Sequence, residues 1–183
     1  MATRTDYAVS QKVLHWLMAL LIMLDLVVAQ KFGDYMEQWD RLASRSDHAS
    51  LGTILTLLFV IRIVIRLKHG APPLSSEMTQ WQTTLARWAH GLFYFLIGLL
   101  ILSGIATAIN AADPITLFGA WDITIGQVNE ETFAALRPIH EFTTNALIAL
   151  IVLHFIAALY HQFIIRDAST INMLKFWSSK APS

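Results

Sequence analysis

Hydrophobic positions along this chain gather into four long stretches, Val13 to Gln30, Leu51 to Leu67, Leu92 to Ile109 and Leu147 to Ile165, separated by polar segments. Each stretch is near the roughly 20 residues that carry a helix across a hydrocarbon core of about 30 Å. The pattern predicts membrane-spanning helices at about 10–30, 48–68, 84–109 and 139–165, within one membrane domain covering residues 1–183. The expected fold class is all-α, an integral membrane four-helix bundle. The connections read as a loop from Phe32 to Asp47, a turn at Ala71, Pro72 and Pro73, a longer loop from Ala111 to Pro138, and a tail after Arg166. The first stretch carries His15 and Asp25 and is not followed by a small-residue cleavage site, so it is expected to remain in the mature protein.

Composition supports the lipid bilayer as the solvent. The chain is 55% hydrophobic and 14% charged, with a mean hydropathy of +0.52, too apolar for an ordinary water-soluble domain. Its formal net charge is zero, and no nucleic-acid partner is expected. The distribution of charge is more informative than the total. Arg4, Lys12, Arg62, Arg66, Lys68, Arg87, Arg166, Lys175 and Lys180 fall near the termini and the Pro-Pro turn, whereas the opposite side has Lys31, Arg41, Arg45 and Arg137. The positive-inside rule then puts both termini in the cytoplasm of a multi-pass inner (plasma) membrane protein. The outward side also carries Asp34, Glu37, Asp40, Asp47, Asp113, Asp122, Glu130, Glu131 and Glu141, so nine carboxylates face four cations and the net is about −5. Trp16, Trp39, Trp81, Trp88, Trp121 and Trp177 fall mostly near helix ends, as an aromatic belt does.

The candidate chemistry lies in the histidines. Cysteine is absent, which excludes disulfides, iron–sulfur clusters, thiolate nucleophiles and covalent heme attachment. Histidines within apolar helices are rare and costly, and heme iron is the commonest reason for several of them. His140 and His154 are 14 residues apart, about 21 Å of helical rise and nearly a whole number of turns, so they share one face at two depths. Helix direction places His15 at the depth of His154, near the cytoplasm, and His48 at the depth of His140, near the outside. Two b-type hemes per chain, each clamped between two imidazoles, are therefore expected. A six-coordinate iron of this kind carries electrons and has no vacant site for oxygen. Gly52, one turn after His48, and Gly98 and Gly104 would let a flat ring approach a helix, although close helix packing explains the latter two equally well.

Other positions are open between roles. His161, on the face of His154, and His90, near the start of the third helix, are candidates to hydrogen-bond a quinone or relay protons, and a headgroup position serves equally. His90 is also a candidate replacement ligand, and His69 is expected to be solvated. Arg62, Arg66 and Arg87 are candidates for heme propionates or, by default, anionic lipid headgroups. Asp25 is the one acidic residue in an apolar helix, expected to face water at the interface or to relay protons.

The segments Val13-Leu14-His15-Trp16, Asp47-His48-Ala49-Ser50-Leu51-Gly52, Arg66-Leu67-Lys68 followed by Pro72-Pro73, Ile139-His140-Glu141, and Leu153-His154-Phe155 continued by Tyr160-His161 resemble the bacterial cytochrome b561 family. The resemblance covers nearly the whole chain, in order and spacing. It implies that His15 and His154 bind one heme and His48 and His140 the other. It also implies superoxide:quinone oxidoreductase activity, with an electron taken from superoxide at the periplasmic face and delivered to ubiquinone near the cytoplasmic side. An electron-relay or anchor subunit serving a basic periplasmic redox protein is the alternative, and the acidic outer side suits it. A heme-free metal transporter is a third, poorer fit, since its ligands would cluster at one depth.

Overall fold

Each apolar stretch forms a helix, and three of the four helices run well past it into water. The computed structural model describes residues 6–29, 37–73, 78–123 and 129–176. Of the residues singled out above, Arg4, Lys31, Asp34, Trp177 and Lys180 lie outside the described residues. The helices are α1 (Val9–Ala29), α2 (Gln38–His69), α3 (Gln80–Ile109) and α4 (Glu130–Tyr160), the last continued by a π turn over His161–Ile165. All four are long and apolar enough to cross a membrane.

The extra turns are polar and are held by caps rather than by lipid. Gln38 to Asp47, expected as loop, is the first part of α2. At the start of α3, Gln82 Oε1 accepts from the backbone N–H of Thr79 at 2.8 Å and from its hydroxyl at 2.9 Å. At the start of α4, Asn129 Oδ1 accepts from the Thr132 N–H at 2.9 Å, and Glu130 and Glu131 place negative charge at the positive end of the helix dipole. The helix therefore begins at Glu130 and passes through Pro138, which the sequence pattern had assigned to a loop. Pro138 has no N–H, so the carbonyl of Ala134 loses its helical partner one turn before the His140 region.

Packing divides the bundle into two pairs. α1 lies along α2 and α3 along α4, while contacts between the pairs are sparse. The buried apolar side chains are few, among them Leu14, Met18, Leu55, Phe59, Leu96 and Leu147. Large apolar residues such as Leu20, Leu57, Leu102 and Phe142 point outward instead. A bilayer accepts that arrangement, because lipid tails are as apolar as the side chains they touch.

The two ends of the described chain meet at one end of the bundle. A short helix α5 (Ala168–Leu174) folds back there. Lys12, only 1% exposed, donates from Nζ to Asp6 Oδ2 and to the Lys175 carbonyl, both at 2.7 Å. Trp16 Nε1 donates to the Met173 carbonyl at 3.0 Å, and Gln11 Nε2 to the Gly70 carbonyl at 2.9 Å. This end holds Lys12, Arg166, Lys175 and the Pro-Pro turn, and is the cytoplasmic one by the charge rule. At the other end an unforeseen two-stranded hairpin, β1 (Thr116–Leu117) and β2 (Trp121–Asp122), pairs Thr116 with Asp122 and Leu117 with Trp121. Gly119, at φ 66°, supplies the left-handed turn. Its backbone is fastened to α2, with Ser46 Oγ accepting from the Thr116 N–H at 3.1 Å and Ser50 Oγ from the Phe118 N–H at 2.8 Å.

Candidate heme centres

The four intramembrane histidines come together as two pairs at opposite ends of α4. The ring centroids of His15 and His154 are 6.3 Å apart with planes at 73°, and those of His48 and His140 are 6.1 Å apart with planes at 79°. Two imidazoles on opposite sides of one metal, with metal–nitrogen bonds of about 2.0 Å and centroids about 1.1 Å behind each nitrogen, would stand about 6.2 Å apart. Both pairs match that spacing. Each also joins helices from different halves of the bundle, α1 with α4 and α2 with α4, across the sparsely packed seam.

His90 is a competitor by distance alone, since its ring centroid lies 6.0 Å from that of His154. Packing separates the two. His90 is on α3, which lies directly against α4, and it is exposed, whereas His15 is half-buried across the seam. Phe93 fills the α3 side further, with its ring 5.3 Å from that of His154.

Hydrogen bonds orient the outer pair. His48 Nδ1 lies 2.8 Å from Asp25 Oδ1, and His140 Nδ1 lies 3.0 Å from Ser103 Oγ. A ring that donates its Nδ1–H to an oxygen presents Nε2 as its lone-pair nitrogen, the tautomer a metal requires. Asp25 is thus not the water-facing interfacial carboxyl suggested by the sequence. Its side chain is 13% exposed and turned toward His48. The glycines divide as well. A Cβ added at Gly52 would meet nothing within 4 Å, leaving open space one turn from His48. At Gly104 it would come within 3.1 Å of His140 Cε1, and at Gly98 within 3.9 Å of Phe59 Cε1, so these two serve close packing.

At the inner end, Arg62 Nη2 lies 3.4 Å from His15 Nδ1. Arg62 and Arg66 line one small cavity with Tyr7, Gln11, Leu14 and Met173. Arg87 is apart from them, beside Trp88 on the exposed side of α3, in the position of a headgroup contact. His161 opens the π turn, and its Nδ1 lies 2.6 Å from Oδ2 of Asp167, whose side chain is fully buried. Sequence reasoning passed over Asp167, and its only signal was a carboxylate placed among the basic residues after Arg166. His69 donates from Nδ1 to the Ile65 carbonyl at 3.1 Å at the exposed end of α2.

On the outward face, Arg45 pairs with Asp113, and Arg137 with Glu141 at 2.7 Å. Among the described residues no group of three or more histidine or carboxylate side chains gathers as a bare metal site would.

Comparison with known proteins agrees with this layout. The model of the family described as prokaryotic cytochrome b561 matches residues 6–176. The chain is 26% identical over 171 residues to the probable superoxide oxidase CybB of Yersinia pestis, covering 92% of this chain and 95% of that one. It is 29% identical over 179 residues to cytochrome b561 homolog 2 of Escherichia coli, covering 94% and 93% of the two chains. It is 25% identical over 169 residues to cytochrome b561 homolog 1 of the same organism, covering 92% and 96%.

Proposed function

The chain belongs to the prokaryotic cytochrome b561 family, multi-pass electron-transfer proteins of the bacterial inner membrane that bind b-type heme, and on that premise we propose that it oxidises superoxide at the periplasmic face and reduces ubiquinone near the cytoplasmic face. The observation that carries this is the pair of histidine clamps separated by 14 residues of α4, one near each surface. His48 and His140 would hold the outer of two hemes, and His15 and His154 the inner. When bound, each heme supplies a one-electron couple, and together they bridge the membrane. Two superoxide anions, one quinone and two protons yield two dioxygen molecules and one quinol.

The remaining chemistry belongs to the side chains. Asp25 and Ser103 fix the rings of His48 and His140. Arg62 and Arg66 give the inner cavity a cationic wall suited to propionates. His161, hydrogen-bonded to Asp167, would pass a proton to a quinone oxygen through its other ring nitrogen, and His90, whose ring lies 6.0 Å from that of His154, is the second candidate.

A second donor is favoured by one observation. Arg45 and Arg137, two of the four cations on the outward side, are both held by carboxylates. An outward face that is acidic, with those arginines neutralised, suits a basic redox protein such as a cationic c-type cytochrome. In that case the chain is a relay or anchor, not an enzyme.

The test uses purified protein in lipid nanodiscs with ubiquinone. Heme content should be two per chain, and His48→Ala and His154→Ala should each lose a different heme. Steady superoxide generation should reduce the hemes and form one quinol per two superoxide consumed. Heme reduction by a cationic cytochrome but not by superoxide would replace the first donor with the second. Full heme content in both alanine variants would refute the ligand pairs.

A further inference from the structure

The two histidine pairs are alike in spacing but opposite in the charge that touches them. At the outer pair, His48 Nδ1 faces an anion, the Asp25 carboxylate, at 2.8 Å. Its counterpart His140 takes its hydrogen bonds from neutral groups, the hydroxyl of Ser103 at 3.0 Å and the backbone of Leu100, with Asp25 acting on it only through space. That hydroxyl directs its own proton to the Leu99 carbonyl at 2.7 Å, so Ser103 Oγ accepts from His140 as a neutral partner. At the inner pair the charged neighbour is a cation, the Arg62 guanidinium, 3.4 Å from His15 Nδ1.

From this asymmetry we infer that Asp25 and Arg62 are positioning residues that set the two heme potentials apart, the outer low and the inner high, so that electrons run inward downhill. The inference rests on the ligand pairs proposed above. It adds a direction that the pairs alone do not have.

The physical chain is short. A carboxylate that accepts the Nδ1–H of a ligating imidazole draws that proton toward itself and makes Nε2 a stronger donor to the metal. Stronger donation and nearby negative charge stabilise the ferric state over the ferrous, which lowers the potential. Hydrogen bonds to an ionised acceptor are about twice as strong as those to a neutral one, so Asp25 acts on His48 more than Ser103 acts on His140. The effect is strengthened by surroundings of low dielectric, since the Asp25 side chain is only 13% exposed. A guanidinium beside a ligand does the reverse, because positive charge favours the state with one more electron. Asp25 also explains its own presence. A carboxylate in the apolar run of α1 is expensive unless it has a partner, and His48, on the neighbouring helix, is that partner. The 2.8 Å contact also orients the ring, so Asp25 positions the ligand as well as tuning it.

Potentiometric titration of the purified holoprotein, with heme content measured in parallel, tests this. In the parent protein the two hemes should titrate separately. In Asp25→Asn the lower midpoint should rise so that the reduced-to-oxidised ratio of that heme at fixed ambient potential increases roughly tenfold, about 59 mV for one electron. The higher midpoint should stay in place. In Arg62→Gln the higher midpoint should fall and the lower one stay. Asp25→Glu, which keeps the charge, should retain a low outer potential. Two retained hemes with unmoved midpoints in Asp25→Asn would overturn the inference. If that variant loses heme, the outcome passes to Asp25→Glu and Arg62→Gln, and an unmoved higher midpoint in Arg62→Gln overturns it equally. Retention of both hemes in His48→Ala would instead refute the ligand pairs.

Discussion

At the residue scale, the site depends on a few side chains whose freedom is removed by their neighbours. Gly104 is the clearest, since a Cβ there would lie 3.1 Å from His140 Cε1. Gly104→Val should push the His140 ring off its line with His48 and reduce heme from the proposed two to about one per chain, with the inner heme kept, as a heme-to-protein ratio would show; two hemes with unchanged spectra would mean that the ring has slack. The ring planes, 73° and 79° apart, give a second expectation. Near-perpendicular imidazoles leave the iron d orbitals close in energy, so both ferric hemes should show strongly anisotropic low-spin resonance signals, and a signal of the parallel-ring type would contradict the observed planes. The histidine depths were legible in the sequence because rise per residue is fixed in a helix. The partners of Asp25 and Lys12 were not, because which side chain meets a buried charge is decided by how α1 lies against α2 and α5. Nothing in the local sequence of α1 reports that contact.

At the element scale, the apolar pattern reported what lipid must cover and was silent on what water covers. Gln38 to Asp47 and Glu130 to Pro138 are helical, yet their residues carry no apolar stripe, and only the Asn129, Glu130, Glu131 sequence gave a local start signal. That signal is testable. Asn129→Ala removes the acceptor for the Thr132 N–H and should cost about 0.5–2 kcal/mol, read as a lower thermal midpoint in detergent with heme content unchanged. α5 is a different case, since a buried cation, Lys12, ties the residue just after it to α1. Lys12→Met removes the charged donor to the Lys175 carbonyl and to Asp6 Oδ2, and a hydrogen bond to a charged group contributes about 1.5–3 kcal/mol. The expected result is faster proteolysis after Arg166 in membranes, with the outer heme potential unaffected. Unaltered cleavage would assign the anchoring of α5 to Trp16 and Thr170, which bond Met173 and Ala158.

At the scale of the whole molecule, charge separates the two candidate donors. The outward side carries an excess of carboxylates, and Arg45 and Arg137 are each matched to one of them. An anion approaching that face is repelled at long range, whereas a cationic protein is drawn in, and added salt screens both effects within a Debye length of about 8 Å at physiological ionic strength. The sign of the salt dependence is therefore diagnostic of what the surface field does to each donor. Superoxide oxidation should hold steady or quicken as salt rises, and heme reduction by a cationic cytochrome should slow. A superoxide rate that falls with salt would require an attractive path at the surface, and the paired arginines do not supply one. Breaking a pair offers the complementary measurement: Asp113→Asn releases Arg45 from its carboxylate and lowers the negative charge beside the hairpin by one. It should raise the rate with superoxide at low salt and reduce the rate with the cationic donor, and because both changes are electrostatic, both should vanish at high salt. Persistence of either at high salt would place Asp113 in hairpin packing rather than in the field that selects the donor.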